Sequence, residues 1–163
     1  MSTYFIKQDF PRLGDLIQGE TSLSIASCRK QGTVTGTVGK TLYIGDILID
    51  NLDGTFTIPA NIAAIVDPAK RLALYIGNDP IQNVDTNNPT YNSNITTFAS
   101  DTLTQNVVVA WRGQLGLARG GVVGTSRGES GIRFPVGTTA PQMKTVWDKL
   151  TVVNGFTILR QVP

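Results

Sequence analysis

The sequence has no histidine and a single cysteine, Cys28, in 163 residues. Each absence removes a class of chemistry. Histidine titrates near neutral pH and is the commonest metal ligand. Without it, neither a Ser-His-Asp nor a Cys-His catalytic arrangement can form within one chain. A tetrahedral zinc site would have to combine one thiolate with carboxylates, a poor donor set. No two carboxylates sit together in apolar sequence, so a paired-acid site has no evident seat. Asp50, Asp53, Asp79 and Asp85 do not follow calcium-loop spacing and read as turn residues. One cysteine makes no intrachain bridge, so assembly in a reducing cytosol is expected.

Charge is scarce as well. Charged residues are 16% of the chain, against roughly 25% in ordinary soluble domains. The net charge is +2, from 14 basic and 12 acidic side chains. That balance argues against nucleic acid or an acidic membrane as the main partner. A neutral surface instead favours burial against other protein subunits. No apolar stretch approaches the roughly 18 residues that span a bilayer. Residues 1–20 lack the basic start, apolar run and small-residue site of a signal peptide. Asn94-Ile95-Thr96 matches the glycosylation pattern, but nothing else suggests secretion. The expectation is a protein that binds or builds, with no enzyme activity, cofactor, metal or small-molecule substrate.

What the chain has in abundance is β-forming residues and turn punctuation. Val, Ile, Leu and Thr dominate, with 17 glycines and 8 prolines. β-branched side chains suit a pleated, half-buried surface, and Gly and Pro mark turns. At this length one β-rich domain is expected, long enough to bury a core without staples.

Residues 1–20 form either an ordinary first strand with its loop or an extended arm whose Tyr4, Phe5 and Phe10 dock on a neighbour. Residues 21–163 make the domain. Thr33-Val34-Thr35 alternates polar with apolar, and residues 46–50 and 55–58 read as strands around the turn Asn51-Leu52-Asp53-Gly54. Pro59 stops the second of them. Residues 62–66 are an apolar run that periodicity does not assign, and residues 71–76 are a strand closed by Gly77-Asn78. The stretch 78–102, rich in Asn, Thr, Asp and Ser, reads as a surface excursion with little regular structure.

Val107-Val108-Val109-Ala110-Trp111 suits a strand covered on both faces, followed by a turn at Arg112-Gly113 and a strand over 114–118. Residues 139–150 predict a helix, with Pro141 in its first turn and an apolar stripe of Met143, Val146, Trp147 and Leu150. Asn154-Gly155 between β-formers predicts a closing type I′ hairpin.

Two motif matches fail on context. Gly124-Thr125-Ser126-Arg127-Gly128 has the nucleophile-elbow spacing but no histidine base and no following helix. Gly39-Lys40-Thr41 ends like a phosphate loop, but Val34 stands where glycine is needed and strand-like sequence follows. Arg112, Arg119, Arg127 and Arg133 lie among glycines. They are either solvated charges on turns or a contact surface for a protein partner, with nucleic acid the third option. Trp111 and Trp147 lie within apolar patterns and read as core. Cys28, beside Arg29 and Lys30, reads as a small buried residue.

Taken together, the chain resembles tailed-phage head decoration proteins, also called structural cement. The likeness rests on three features across residues 30–163. They are the Thr- and Gly-rich β composition, the phrase Asn106-Val107-Val108-Val109-Ala110-Trp111-Arg112-Gly113, and the closing segment from Pro141 to Val162. The resemblance implies a mainly β fold, a small β-barrel or β-tulip. It implies a homotrimer bound to the major capsid protein on the capsid exterior, made in the host cytoplasm and stabilising the mature head. Tyr4, Phe5, Phe10, Arg112, Arg119, Arg127 and Arg133 are the candidate partner contacts. A tail or baseplate protein and a carbohydrate-binding β-module are the alternatives.

Overall fold

The computed structural model describes residues 16–19, 28–36, 39–78, 95–97, 104–125 and 131–159. The fold is mainly β and is organised around a closed five-stranded barrel, β2-β5-β4-β6-β8. Its strands are β2 (Arg29–Thr35), β4 (Ile47–Asp50), β5 (Thr55–Thr57), β6 (Arg71–Asn78) and β8 (Thr104–Ala110). Four of the five seams are antiparallel. The fifth joins β2 to β5 in parallel, with Thr33 opposite Thr55 and Val34 opposite Phe56.

Strand alternation explains the closure. Val34, Leu48, Phe56, Ala73, Tyr75, Val107 and Val109 share one face through these registers, and all are buried. They fill the interior, so a barrel this narrow is a packed core rather than a channel. Gly32 is required there, because a Cβ would lie 2.3 Å from the Phe56 ring and 2.5 Å from the Gly54 carbonyl oxygen. The turn joining β4 and β5 matches expectation, with Gly54 at φ 90.

The outer barrel face differs around its circumference. On β4 and β6 the outward Ile47, Ile49, Leu72 and Leu74 are buried too. Ile47 shares a cleft with Ile65 of α1 (Ile62–Val66), and β6 packs against the turn that follows α2 (Ala140–Lys149). Residues 62–66, ambiguous by periodicity, become α1 because Asn61 caps them, its Oδ1 accepting from the Ala64 N–H at 3.1 Å. α2 begins with a capping box between Thr139 and Gln142, with Pro141 in the first turn. Such a cap contributes about 1 kcal/mol. Val146 and Leu150 are buried, and Met143 and Trp147 pack against the core.

Shorter strands surround the barrel. β1 (Ile17–Gly19), β9 (Gly116–Ala118) and β12 (Thr157–Leu159) form a three-stranded sheet. β3 (Thr41–Tyr43) pairs with β7 (Ile95–Thr97), and β10 (Gly121–Val122) pairs in parallel with β11 (Arg133–Phe134). β7 therefore gives regular structure to part of the 78–102 excursion, whose neighbouring residues 79–94 and 98–103 lie outside the described residues.

The predicted closing hairpin is corrected. Residues Leu150–Asn154 continue α2 as a π-helical turn. Gly155, at φ 78, ends it in the left-handed conformation and donates to Leu150 O. Asn-Gly serves a helix C-terminus as readily as a hairpin turn, because both need positive φ. Tertiary bonds decide between them. Asn154 is buried, and its amide nitrogen donates to Leu72 O at 2.8 Å and Trp111 O at 2.7 Å. β12 then pairs with β9 in parallel instead of folding back on residues 151–153.

Candidate functional site

The sequence-predicted contacts separate on the structure. Tyr4, Phe5, Phe10 and Arg127 lie outside the described residues. Arg112 is exposed, with its guanidinium 4.3 Å from the centre of the Trp111 ring. Arg119 is exposed and sits 4.1 Å from the centre of the Trp147 ring, whose Nε1 donates to Arg119 O at 2.9 Å. Arg133 leaves the open surface altogether. It is 7% exposed, its Nε donates to Asp46 Oδ1 at 2.9 Å, and it stacks 4.7 Å from the Tyr43 ring centre.

Both tryptophans stand at the edge of the core and not wholly inside it. Trp147 meets Phe134 edge to face at 5.7 Å. Trp111 also carries the Lys30 ammonium at 4.7 Å. Lys30 points into one end of the barrel, paired with Asp50 at 2.7 Å and 5.2 Å from the Phe56 ring centre. Cys28 is buried, as expected.

The Asp46–Arg133 pair forms one side of a cleft of about 100 Å³ between barrel, α1 and β11. Leu42, Ile47, Ile58, Ile65 and Val123 supply its aliphatic wall, and Lys40 completes the charged side. Asp46 accepts the Tyr43 N–H at 2.9 Å with its second oxygen. Burial nevertheless raises its pKa above the ordinary 3.8, outweighing the Tyr43 N–H and the Arg133 and Lys40 charges. A carboxyl whose folded pKa is raised stabilises the fold below the unfolded pKa and loses that contribution as pH rises through the folded value. The stability advantage of the natural chain over Asp46→Asn should therefore be largest below pH 4 and shrink as pH rises, checked by urea unfolding across pH. An advantage that grows with pH would refute this account.

No protein family, curated protein or solved structure matches this chain.

A third feature lies on the outward face of β8, β2 and β5. Thr104 and Asn106 stand on β8, Thr33 and Thr35 on β2, and Thr55 and Thr57 on β5, with Asn51 beside them. The register sets Thr35 between Thr104 and the Thr57 level, and Thr33 between Asn106 and Thr55. The hydroxyls of Thr35 and Thr104 bond at 3.0 Å, and Asn51 Nδ2 donates to Thr55 and Thr57 at 3.0 Å each. None of these seven side chains is charged. Asp53, in the adjoining turn, accepts from the Thr55 hydroxyl, which holds its pKa below the usual carboxylate value. A shallow hollow of about 310 Å³ lies among these threonines.

The sequence carried a trace of this face in Thr33-Val34-Thr35 and Thr55-Phe56-Thr57, two polar-apolar-polar triplets. Nothing local marked the Asp46–Arg133 pair, whose partners are brought together only by the fold. Among the described residues no group of three or more His, Cys, Asp or Glu could hold a metal ion. Among those residues no helix is long and apolar enough to cross a membrane.

Proposed function

We propose that this chain is a non-enzymatic structural protein of a virion, seated on the outer surface of the capsid lattice through the threonine face of its barrel. One observation carries the reading: at one end of three adjacent strands, β8, β2 and β5, the outward side chains of Thr104, Asn106, Thr33, Thr35, Thr55 and Thr57 are all hydroxyl or amide. Designed soluble surfaces aim for about 25–35% charged residues, whereas interface cores are depleted of charge. Threonine is stiff at χ1, so little side-chain freedom is lost on contact. Its hydroxyl donates or accepts, so it adapts to either partner on the opposing surface.

A protein that binds only the assembled lattice stabilises it by mass action. At about 100 times its dissociation constant each copy contributes about 2.7 kcal/mol. A homotrimer would gain further through avidity where all three contacts are made together. The carbohydrate-binding alternative has less support. Sugar recognition needs an open aromatic face, and here Trp111 and Trp147 carry cations over their rings.

The test is co-sedimentation with capsid shells, using the natural chain and the double variant Thr35→Glu, Thr57→Glu. Two carboxylates buried without partners should weaken binding about a hundredfold or more. Both threonines are exposed, so the variant should stay folded, its melting temperature lowered by only a few degrees through the lost hydroxyl bonds and the facing carboxylates. A chain that stays monomeric at micromolar concentration and fails to raise the shell's melting temperature would reject the reading.

A further inference from the structure

We propose that the cleft walled by Asp46 and Arg133 receives the C-terminal residue of a partner chain, a branched aliphatic residue with its free carboxylate. The site lies apart from the threonine face and does not rest on the capsid reading.

Size comes first. An apolar cavity of about 150 Å³ accepts benzene, so a cleft of about 100 Å³ takes one branched side chain and little more. It is too small for a nucleotide or a drug-sized ligand. The lining comes second. Leu42, Ile47, Ile58, Ile65 and Val123 make an aliphatic wall, while Lys40 and Arg133 make a cationic side opposite a single acid, Asp46. Asp46 and Arg133 offset one another at 2.9 Å. Lys40, exposed at residue level, is the excess positive charge.

An aliphatic wall and a positive charge in one small space restrict the occupant. An internal Asp or Glu brings a carboxylate but no branched side chain, and in an extended segment its neighbour points the other way. A C-terminal Val, Leu or Ile carries both groups on one Cα. The site is also held in place beforehand. Arg133 is 7% exposed, bonded to Asp46 and stacked on Tyr43, so it loses little freedom on binding. Charge-assisted bonds of this kind are roughly twice as strong as neutral ones.

The experiment titrates isotope-labelled protein with acetyl-Gly-Gly-Val bearing a free carboxylate, followed through methyl resonances. Saturable shifts are expected at Ile47, Ile58, Ile65 and Val123. The C-terminal amide of the same peptide should bind about tenfold more weakly. Lys40→Gln, a change at an exposed side chain, should remove most of that difference. Ile58→Trp should fill the cleft and abolish binding of both. Equal affinity for acid and amide would overturn the proposal, as would shifts confined elsewhere or no saturation by about 10 mM. Free 3-methylbutanoate displacing the peptide at equal concentration would also overturn it, because the rest of the chain would then contribute nothing. Failure here leaves the threonine-face reading standing, since Thr35 and Thr57 take no part.

Discussion

Arg133→Ala is expected to lower the unfolding free energy by about 3–5 kcal/mol, the cost of breaking a buried ion pair from one side. The guanidinium is the charge in direct contact with Asp46, supported by the Tyr43 N–H and the Lys40 charge, while burial disfavours the ionised carboxylate. The same residue stitches two parts of the fold. Arg133 N donates to Gly45 O at 2.9 Å, and Arg133 bridges Asp46 backbone to backbone, joining β11 to the barrel. For a chain of this length the loss corresponds to a fall of about 6–20 °C in melting temperature. The double change Arg133→Met, Asp46→Leu separates packing from charge. Replacing a whole buried pair by apolar groups of similar volume is often neutral or stabilising. Differential scanning calorimetry of the two variants should therefore show a large loss in the first and most of it recovered in the second. A loss below about 1 kcal/mol in Arg133→Ala would mean that water reaches Asp46 and the pair is not buried in any energetic sense.

Asn154→Ala is the second large effect, expected at about 2–4 kcal/mol. The Asn154 amide is the donor to two carbonyl oxygens from distant parts of the chain, Leu72 O and Trp111 O. Removing it leaves both acceptors short of a partner and opens space beneath the π turn, and each unsatisfied buried group costs about 1–3 kcal/mol. Asn154→Asp should be at least as damaging, because it turns a carboxylate toward two carbonyl oxygens. Urea unfolding should show a lower midpoint with an unchanged m-value. This measurement also discriminates the two accounts of the segment. A type I′ hairpin turn, which needs positive φ at Asn154, would instead tolerate Asn154→Gly with a loss of only a few tenths of a kcal/mol, whereas the buried donor would be lost with either change.

Much of the barrel was legible from local pattern. The alternation at Thr33-Val34-Thr35, the Asn51–Gly54 turn and the apolar run at 107–110 each place a strand, because side-chain period and turn chemistry are properties of adjacent residues. The helix at 140–149 was legible for the same reason, and its Thr139–Gln142 capping box stood in the sequence to be read. The segment at 151–159 was not. Thr151-Val152-Val153 favours strand by propensity, yet Val152 is 82% exposed on a helical turn. What overrides propensity is Asn154 reaching Leu72 and Trp111, contacts that no window of adjacent residues contains.

The candidate site divides along the same line. Arg112 directly follows its aromatic, Trp111, whereas Arg119 meets Trp147 from a distant part of the chain, and both arginines remain at the surface. Arg133 looks identical to them in sequence, a lone arginine near glycines. Only the pairing with Asp46, 87 positions earlier, draws it inward. Charge class can be read from a sequence, but which charges are buried together cannot.

The closing seam of the barrel has a consequence for how the molecule is made. Arg29 on β2 meets Ala110 on β8, and every other rung of that ladder spans a similarly long loop of chain. A ribosome must therefore have released the polypeptide past Ala110 before β2 can find its antiparallel neighbour. Long-range pairing of this kind slows folding, because loop entropy is lost before contacts compensate. During that interval the unpaired strand edges are exposed to other nascent chains, so yield at high expression should be limited by aggregation before closure rather than by the stability of the finished barrel.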